Sequence, residues 1–573
     1  NFNRQVKSID ANGGECETVL DIGGRVEATV DANGGRITMT YDGLNRETVR
    51  EDTLGNKVTT TYNKLGSVTS VEDAAGNKTS YTYDNLQRQV TSEDALNNVE
   101  TLTYDKASNV IARENALGDV TTFTFDPLNR TTQVEDALGN FSTTIFDKLD
   151  NVTAQIDALG NRTTFTLDNL NRVVAQTNAL NQTTTTVYDA ADRVIRTIDA
   201  LNKTTTSTYD AVGRMLSQED PGGGTRSWDY DSSGNVLTET DANGNITNYG
   251  YDALHRQTTV TDALSGVTTF GYDSVGNRTT VTDPVGNKTT FVFDLLNRVT
   301  EEIDPHGNSS TFSYQSTGQL ESTTDRLGRR RDFTYNDVGQ VLTEKWIDIS
   351  STTVNTISYS YNDVGTMLTA SDQHGTYTFT VDELQRVETV TDLFNQTLTF
   401  TFDSVGNRTK IQDSQSGTTT STYNAVNLLT KREFSDGSNV LRFDQTWTAR
   451  NQLDKITRYS DLAGTTKVGE SLHSYDDVGR MTNLHHKDGS GTTLANTTWT
   501  YDVGSRVETE TIDSTTKTFT YDATNQLTND GASAYSFDAN GNRTMAGYST
   551  GTGNQLTNDG TFTYTYDAEG NLT

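Results

Sequence analysis

Cysteine is nearly missing. Cys16 is the only one in 573 residues, so the chain can form no intramolecular disulfide and no cysteine-based metal site. Proline is scarce, with four in all, and no Gly/Ser linker interrupts the sequence. The length would fit roughly three or four ordinary domains, yet nothing marks boundaries between them. No apolar run is long enough to cross a membrane as a helix. No signal peptide is visible, and the chain begins at Asn1 without a methionine. The lack of cysteine does not exclude export, because a β-sheet array needs no staples.

Positive charge is also in deficit. Lys and Arg number 45 against 77 Asp and Glu, giving a net charge of −32 and a pI near 4.5. Such a surface repels phosphate backbones, which excludes nucleic acid as a ligand, and keeps an extended β surface soluble. Hydrophobic residues make up 32%, too few for a deep conventional core. Low hydrophobicity with high charge would ordinarily favour disorder. The 25 Tyr and 20 Phe, and above all their spacing, point instead to a thin sheet.

A Tyr-Asp dipeptide recurs every 21 residues: Tyr41-Asp42, Tyr62-Asn63, Tyr83-Asp84, Tyr104-Asp105, Phe125-Asp126, Phe146-Asp147, Leu167-Asp168, Tyr188-Asp189, Tyr209-Asp210, Tyr230-Asp231, Tyr251-Asp252, Tyr272-Asp273 and Phe293-Asp294, then Tyr314-Gln315 and Tyr335-Asn336. Only Leu167 breaks the aromatic series among these 15 anchors. A second Asp series runs at the same period from Asp10 to Asp325, opening segments such as Asp136-Ala-Leu-Gly-Asn140. Asp followed three residues later by Gly or Asn suits a type I turn closing in a positive-φ residue. The segments between, such as Lys57-Val-Thr-Thr-Thr-Tyr62, read as short strands. Each unit is therefore a hairpin with two turns, and the chain is all-β. Constant phase predicts one unbroken sheet from Asp21 to about Tyr335. The chain divides into regular repeats over 1–336, repeats with a longer insertion over 337–430, and irregular repeats over 431–573.

Alternation places each anchor ring and the residue two before it on one face, as with Tyr81 and Tyr83, Phe123 and Phe125, or Phe291 and Phe293. These rings are expected to pair across strands, with an apolar turn residue after each Tyr-Asp pair (Leu44, Leu65, Leu86, Leu128, Leu149, Leu170) adding to the packing. Residues of this kind, and not any reactive group, are the site residues the sequence offers: the aromatic and Asp anchors hold the structure.

Candidate chemistry is sparse. Arg follows the anchor Asp by four in eight of the 15 units, including Arg46, Arg88, Arg130, Arg172 and Arg214. Either these form a ladder of Asp–Arg contacts, or Asp caps its own turn while Arg stretches over a neighbouring ring, and the second is favoured. Stacked turn aspartates could attract calcium, but neither an EF-hand loop nor the Gly-Gly-x-Gly-x-Asp nonapeptide occurs. His473, His485 and His486 lie near Asp476, Asp477 and Asp488, and are expected to be surface histidines in a loop. No Gly-x-Ser-x-Gly, Walker loop or His-Glu-x-x-His is present. No catalytic residue, metal site or cofactor is therefore assigned. Asn-x-Thr sequons at Asn77, Asn151, Asn161, Asn202, Asn287 and Asn407 follow from the repeat consensus and become acceptors only in a glycosylating compartment.

The segments Tyr209-Asp-Ala-Val-Gly-Arg214, Tyr251-Asp-Ala-Leu-His-Arg256 and Tyr272-Asp-Ser-Val-Gly-Asn-Arg278 resemble the YD motif of the Rhs/YD-repeat family. Its relatives include bacterial polymorphic toxins, insecticidal toxin-complex components and teneurins. The resemblance covers essentially the whole chain. It implies one long antiparallel strip of tandem hairpins that spirals into a shell, cocoon or fibre, often around a toxic C-terminal segment. The Asp-Pro-rich autocleavage core of toxin-delivering members, and a toxin-like domain, are not seen in these residues. The leading expectation is a noncatalytic structural protein, secreted or at the cell surface. Its partners would be further copies, further parts of a larger protein, or an enclosed polypeptide. The first alternative is the encapsulating segment of a polymorphic toxin, and the second is a glycan-binding module using exposed Tyr and Trp. Phase also places Phe2 and Arg4 inside a Tyr-Asp turn, so both ends would fall within repeats whose edges are covered by further sequence or by another copy.

Overall fold

Each unit folds through two turns of one design. The computed structural model describes residues 6–573; the expected places of Phe2 and Arg4 lie outside the described residues. At the Tyr-Asp turn, Asn45 N–H donates to the Asp42 carbonyl at 3.1 Å, and Asp42 N–H to the Arg46 carbonyl at 3.0 Å. The fourth position takes a positive φ, as at Asn45 (65°). The second turn repeats this, with Gly139 at φ 78° and Gly139 N–H on the Asp136 carbonyl at 2.9 Å. Gly and Asn occupy most such positions because they tolerate that backbone best.

The turns alternate with strands of six and five residues, for example Lys57–Tyr62 and Val68–Glu72. From Lys7–Ile9 to Thr515–Thr518 the strands form one 48-stranded sheet, each pairing antiparallel with its sequence neighbours. It runs unbroken through the span from Asp21 to Tyr335. At each anchor the register slips by one: Thr61 faces Ser70 but Tyr62 faces Val68. This bulge, repeated once per unit, adds twist and bends the strip. Beyond Tyr335 strands lengthen, to nine residues in Thr353–Tyr361, Lys467–Tyr475 and Thr493–Tyr501. The strand Leu429–Ser435 continues the sheet without interruption. After Thr518 the hairpins shrink to pairs such as Thr520–Tyr521 with Leu527–Asn529.

The strip is thin. Among the described residues only Ala28 and Ala154 are buried hydrophobic residues, each at 0% exposure. The accessible surface is 31330 Å², against about 20,000 Å² for a compact protein of this mass. The strip also coils on itself. Contacts join residues between 240 and 271 positions apart, from Asn12–Asp252 and Asn33–Asp273 to Asn554–Asp283. In these contacts the Tyr-Asp-type turns of one coil rest on the second turns of the coil before it.

Two packing expectations need correction. The aromatic residues do not pair directly across strands: Tyr81 faces Ser92, Phe123 faces Val134 and Phe291 faces Glu302. An intervening strand separates successive anchor strands, placing their rings about 9–10 Å apart. The turn leucines are likewise not packed within their own coil. Leu44, Leu65, Leu86, Leu128, Leu149 and Leu170 are 62–75% exposed. Each sits at the tip of a tight turn that reaches beyond the sheet face.

Candidate functional site

The Tyr-Asp edge repeats one constellation along the strip. Asp84 Oδ1 accepts N–H bonds from Leu86 and Arg88 at 2.8 and 3.0 Å, closing its own turn. Its Oδ2 accepts Arg88 Nε at 2.7 Å. The guanidinium then lies 4.5 Å from the centre of the Tyr104 ring and donates to the Asp105 carbonyl at 3.0 Å. The Tyr104 hydroxyl donates back to the Gln89 carbonyl at 2.8 Å. Capping, ion pairing and ring stacking are therefore one arrangement, and the two readings of the Asp–Arg spacing coexist. Arg46 over Tyr62, Arg130 over Phe146, Arg172 over Tyr188, Arg193 over Tyr209, Arg214 over Tyr230, Arg256 over Tyr272 and Arg298 over Tyr314 repeat the ring stack. Each guanidinium thus lies over the anchor ring of the following unit.

Where Arg gives way to Asn, the amide closes its own turn and also reaches the next unit, as Asn109 does to Asn129 Oδ1 at 2.9 Å and Asn151 to Asn171 Oδ1 at 3.0 Å. Asn109 and Asn151 donate to Asp105 and Asp147 at 2.8 and 2.9 Å. The sequon amides of Asn77, Asn151, Asn161, Asn287 and Asn407 all donate to their turn aspartates in this way. Guanidinium hydrogen bonding holds Asp42, Asp126, Asp168 and Asp189 below the usual 3.8, and the Asn amide does the same for Asp105, Asp147 and Asp231. In Asp252 burial opposes the shift, but the Arg256 N–H and guanidinium, with Leu254 N–H and the Asn12 amide, bring it to about 2. The remaining anchors, Tyr41, Tyr83, Tyr251, Phe125, Phe293, Asp210, Asp273 and Asp294 among them, occupy the same half-buried strand ends and turn starts.

The second constellation is the seam between coils, which the sequence reading did not resolve. Asn12 and Asn33 donate across it to Asp252 and Asp273 at 2.9 and 2.8 Å. Asn540 donates to Asp283 at 2.8 Å, and Gly504 N–H donates to the Asn243 side chain at 3.2 Å. Lys203 pairs with Asp477 at 2.6 Å, and Arg450 pairs with Asp199. A signal was present: Asn12, Asn33 and Asn243 stand where most second turns carry Leu. The histidines also differ from expectation. His473, His485 and His486 lie within the strands Lys467–Tyr475 and Met481–Asp488, not in a loop. His486 Nδ1 meets the buried Ser471 hydroxyl at 2.7 Å and His485 Nε2 meets Thr493 Oγ1 at 2.8 Å. Among the described residues no three His, Cys, Asp or Glu side chains converge as a metal site, and no helix is long and apolar enough to cross a membrane.

These features are those of a known architecture. The family profile described as Teneurin YD-shell matches residues 272–573. That described as RHS Repeat matches five segments, 62–99, 104–140, 146–183, 188–225 and 230–267. The chain belongs to the YD-repeat family. A solved TcdB2–TccC3 structure without its hypervariable C-terminal region superposes on this YD-repeat chain with a TM-score of 0.67 at 12% identity, covering 99% of this chain and 42% of that one. The Photorhabdus luminescens Tc holotoxin pore gives a TM-score of 0.58 at 12% identity, covering 97% and 34%. A TcdB2–TccC3–TEV structure gives 0.52 at 14%, covering 98% and 38%. This chain thus spans about two fifths of the first of these structures, and at such identity the likeness speaks for the fold. No curated protein matches. A YD-shell chain with this coiled strip is a structural shell segment.

Proposed function

We propose that this YD-repeat chain is a wall segment of an exported, encapsulating β-shell, and that it performs no catalysis itself. The seam carries the reading: turn-to-turn bonds between distant coils make a continuous wall from a thin strip. The Tyr and Asp anchors act as structural residues within that wall. The three stretches 1–336, 337–430 and 431–573 serve as successive regular, widened and irregular parts of it. An enclosed polypeptide, the remainder of a larger protein, is the partner this arrangement suits. Electron microscopy of the native particle tests the reading. Class averages with a hollow interior support it; a solid or extended particle contradicts it. Recovery of the protein outside the producing cells tests export, and recovery only from the cell interior counts against it.

A further inference from the structure

Asn followed by Gly occurs four times in the chain, at Asn12-Gly13, Asn33-Gly34, Asn243-Gly244 and Asn540-Gly541. All four lie on the seam. Asn12, Asn33 and Asn540 donate their amide N–H to Asp252, Asp273 and Asp283 at 2.9, 2.8 and 2.8 Å. Asn243 Oδ1 accepts Gly504 N–H at 3.2 Å. The turn explains the dipeptide. The residue after each Asn takes a positive φ, 87° at Gly13, 85° at Gly34 and 84° at Gly244 and Gly541, which Gly adopts without strain. Other second turns place Leu there, as Leu138 before Gly139, and a Leu side chain cannot bond across the seam.

Glycine has no Cβ to shield its nitrogen, so an Asn before it is open to attack by the backbone. The Gly nitrogen gives up its proton and bonds to the Asn Cγ, the Cγ–Nδ2 bond breaks, and ammonia leaves. Water then opens the resulting succinimide at either carbonyl, giving aspartate or isoaspartate. The net change is amide plus water to carboxyl plus ammonia, and no enzyme, oxidant or metal is needed. In the closed seam both partners are held. Gly13, Gly34, Gly244 and Gly541 N–H donate to the carbonyls of Asp10, Asp31, Asp241 and Asp538 at 3.0–3.1 Å, while the Asn side chain is fixed on the other coil. The reaction therefore waits on a local opening of the seam, where Asn12 and Asn33 already stand exposed to water.

We propose that these four asparagines are the chain's spontaneous deamidation sites, and that conversion at Asn12, Asn33 and Asn540 unlatches the seam in one direction only. A donor amide becomes a carboxylate that only accepts, set against an ionised Asp on the other coil, and like charges in contact repel. Asn243 differs, because a carboxylate there still accepts Gly504 N–H. The inference rests on the contacts between coils and not on what they enclose.

Incubation of the whole chain in mildly alkaline heavy-oxygen water, read by peptide mass spectrometry, tests the sites. Label is expected at the four Asn-Gly positions before any other asparagine. No label there, or earlier label elsewhere, overturns the assignment. Hydrogen exchange of Asn33→Asp beside Asn33→Leu tests the latch, with unchanged circular dichroism showing that both variants keep the sheet. The facing turn Asp273–Asn277 should exchange several-fold faster in Asn33→Asp than in Asn33→Leu, while Asn243→Asp leaves the turn Asp502–Arg506 as in wild type. Equal exchange of Asp273–Asn277 in the two position-33 variants overturns the latch.

Discussion

The regular array and the widened stretch beyond Tyr335 differ at one edge only. In the regular part each anchor hydroxyl reaches a carbonyl 15 residues back, as Tyr83 reaches Val68. In the widened part the separation grows to 20 for Tyr361 on Val341 and 22 for Tyr475 on Leu453, and near the end it falls to 10 for Tyr566 on Leu556. In every case the carbonyl belongs to the residue that opens the strand after the preceding Tyr-Asp turn. Added or deleted residues are absorbed at the second turn, while the Tyr-Asp edge keeps its bonds. One edge sets the geometry of the strip and the other sets its width.

Acid should break both edges at once and have the largest effect. Asp42, Asp126, Asp168 and Asp189 on the Tyr-Asp edge, and Asp283 and Asp304 on the second-turn edge, have folded values below the unfolded 3.8, with Asp252 near 2. Their contribution is complete above the unfolded value and is lost as pH falls through the folded ones. Thermal stability should therefore hold near neutrality and collapse between about 4 and about 2. A flat profile across that window contradicts the role given to the turns.

The next largest effect belongs to a single ring. Tyr104→Ala removes the platform under Arg88 and the bond to Gln89, and should cost about 2 kcal/mol, or ~30-fold in local amide exchange. The loss should centre on the neighbouring units. Thr121→Ala, which removes no ring, is the control, and equal exchange in the two variants would discount the anchors. Asp126→Ala should loosen its own turn less, by several-fold in exchange of Leu128 and Arg130, whose N–H groups it accepts. Asp126→Asn should keep the turn bonds to Leu128 and Arg130 N–H, as Asn63, Asn336 and Asn362 close equivalent turns through Oδ1, and lose only the ion pair with Arg130, an effect between those of wild type and Asp126→Ala.

The smallest effect tests the tolerant edge. Two residues inserted into the second turn Asp348–Thr352 should cost only ~0.3 kcal/mol of loop entropy. The same insertion into the Tyr-Asp turn Asp147–Asn151 displaces the carbonyl that Arg130 grips and should disturb far more. Equal melting temperatures for the two insertions would erase the distinction between the edges.

The strands, both turns and the unbroken sheet were legible because each depends on residues within one 21-residue unit. Asp and Gly or Asn at fixed spacing dictate the turn, and Thr and Val at alternating places dictate the strand. The Arg88–Tyr104 stack was partly legible, as spacing put Arg near a ring without saying which one. The bulge at Tyr62 left no mark, because one extra residue in a Thr/Val strand does not alter composition. The turn leucines misled for a related reason. A lone unit cannot show that Leu65 is bare while its equivalent Leu254 is covered, since the difference arises only when the strip has travelled a full coil. The histidines misled because the strands that carry them, Lys467–Tyr475 and Met481–Asp488, are longer than those of the regular units.

The most direct test of the account is zero-length carbodiimide crosslinking of the native chain, read by peptide mass spectrometry. Lys203 and Asp477 lie 2.6 Å apart across the seam, although they are far apart in sequence. Lys7–Glu15 at 2.6 Å and Lys467–Glu470 at 2.8 Å are local pairs that crosslink whether or not the strip coils. A coiled strip predicts an isopeptide between Lys203 and Asp477 within a single molecule, alongside the local products. Local products in good yield with no Lys203–Asp477 link would contradict the coil.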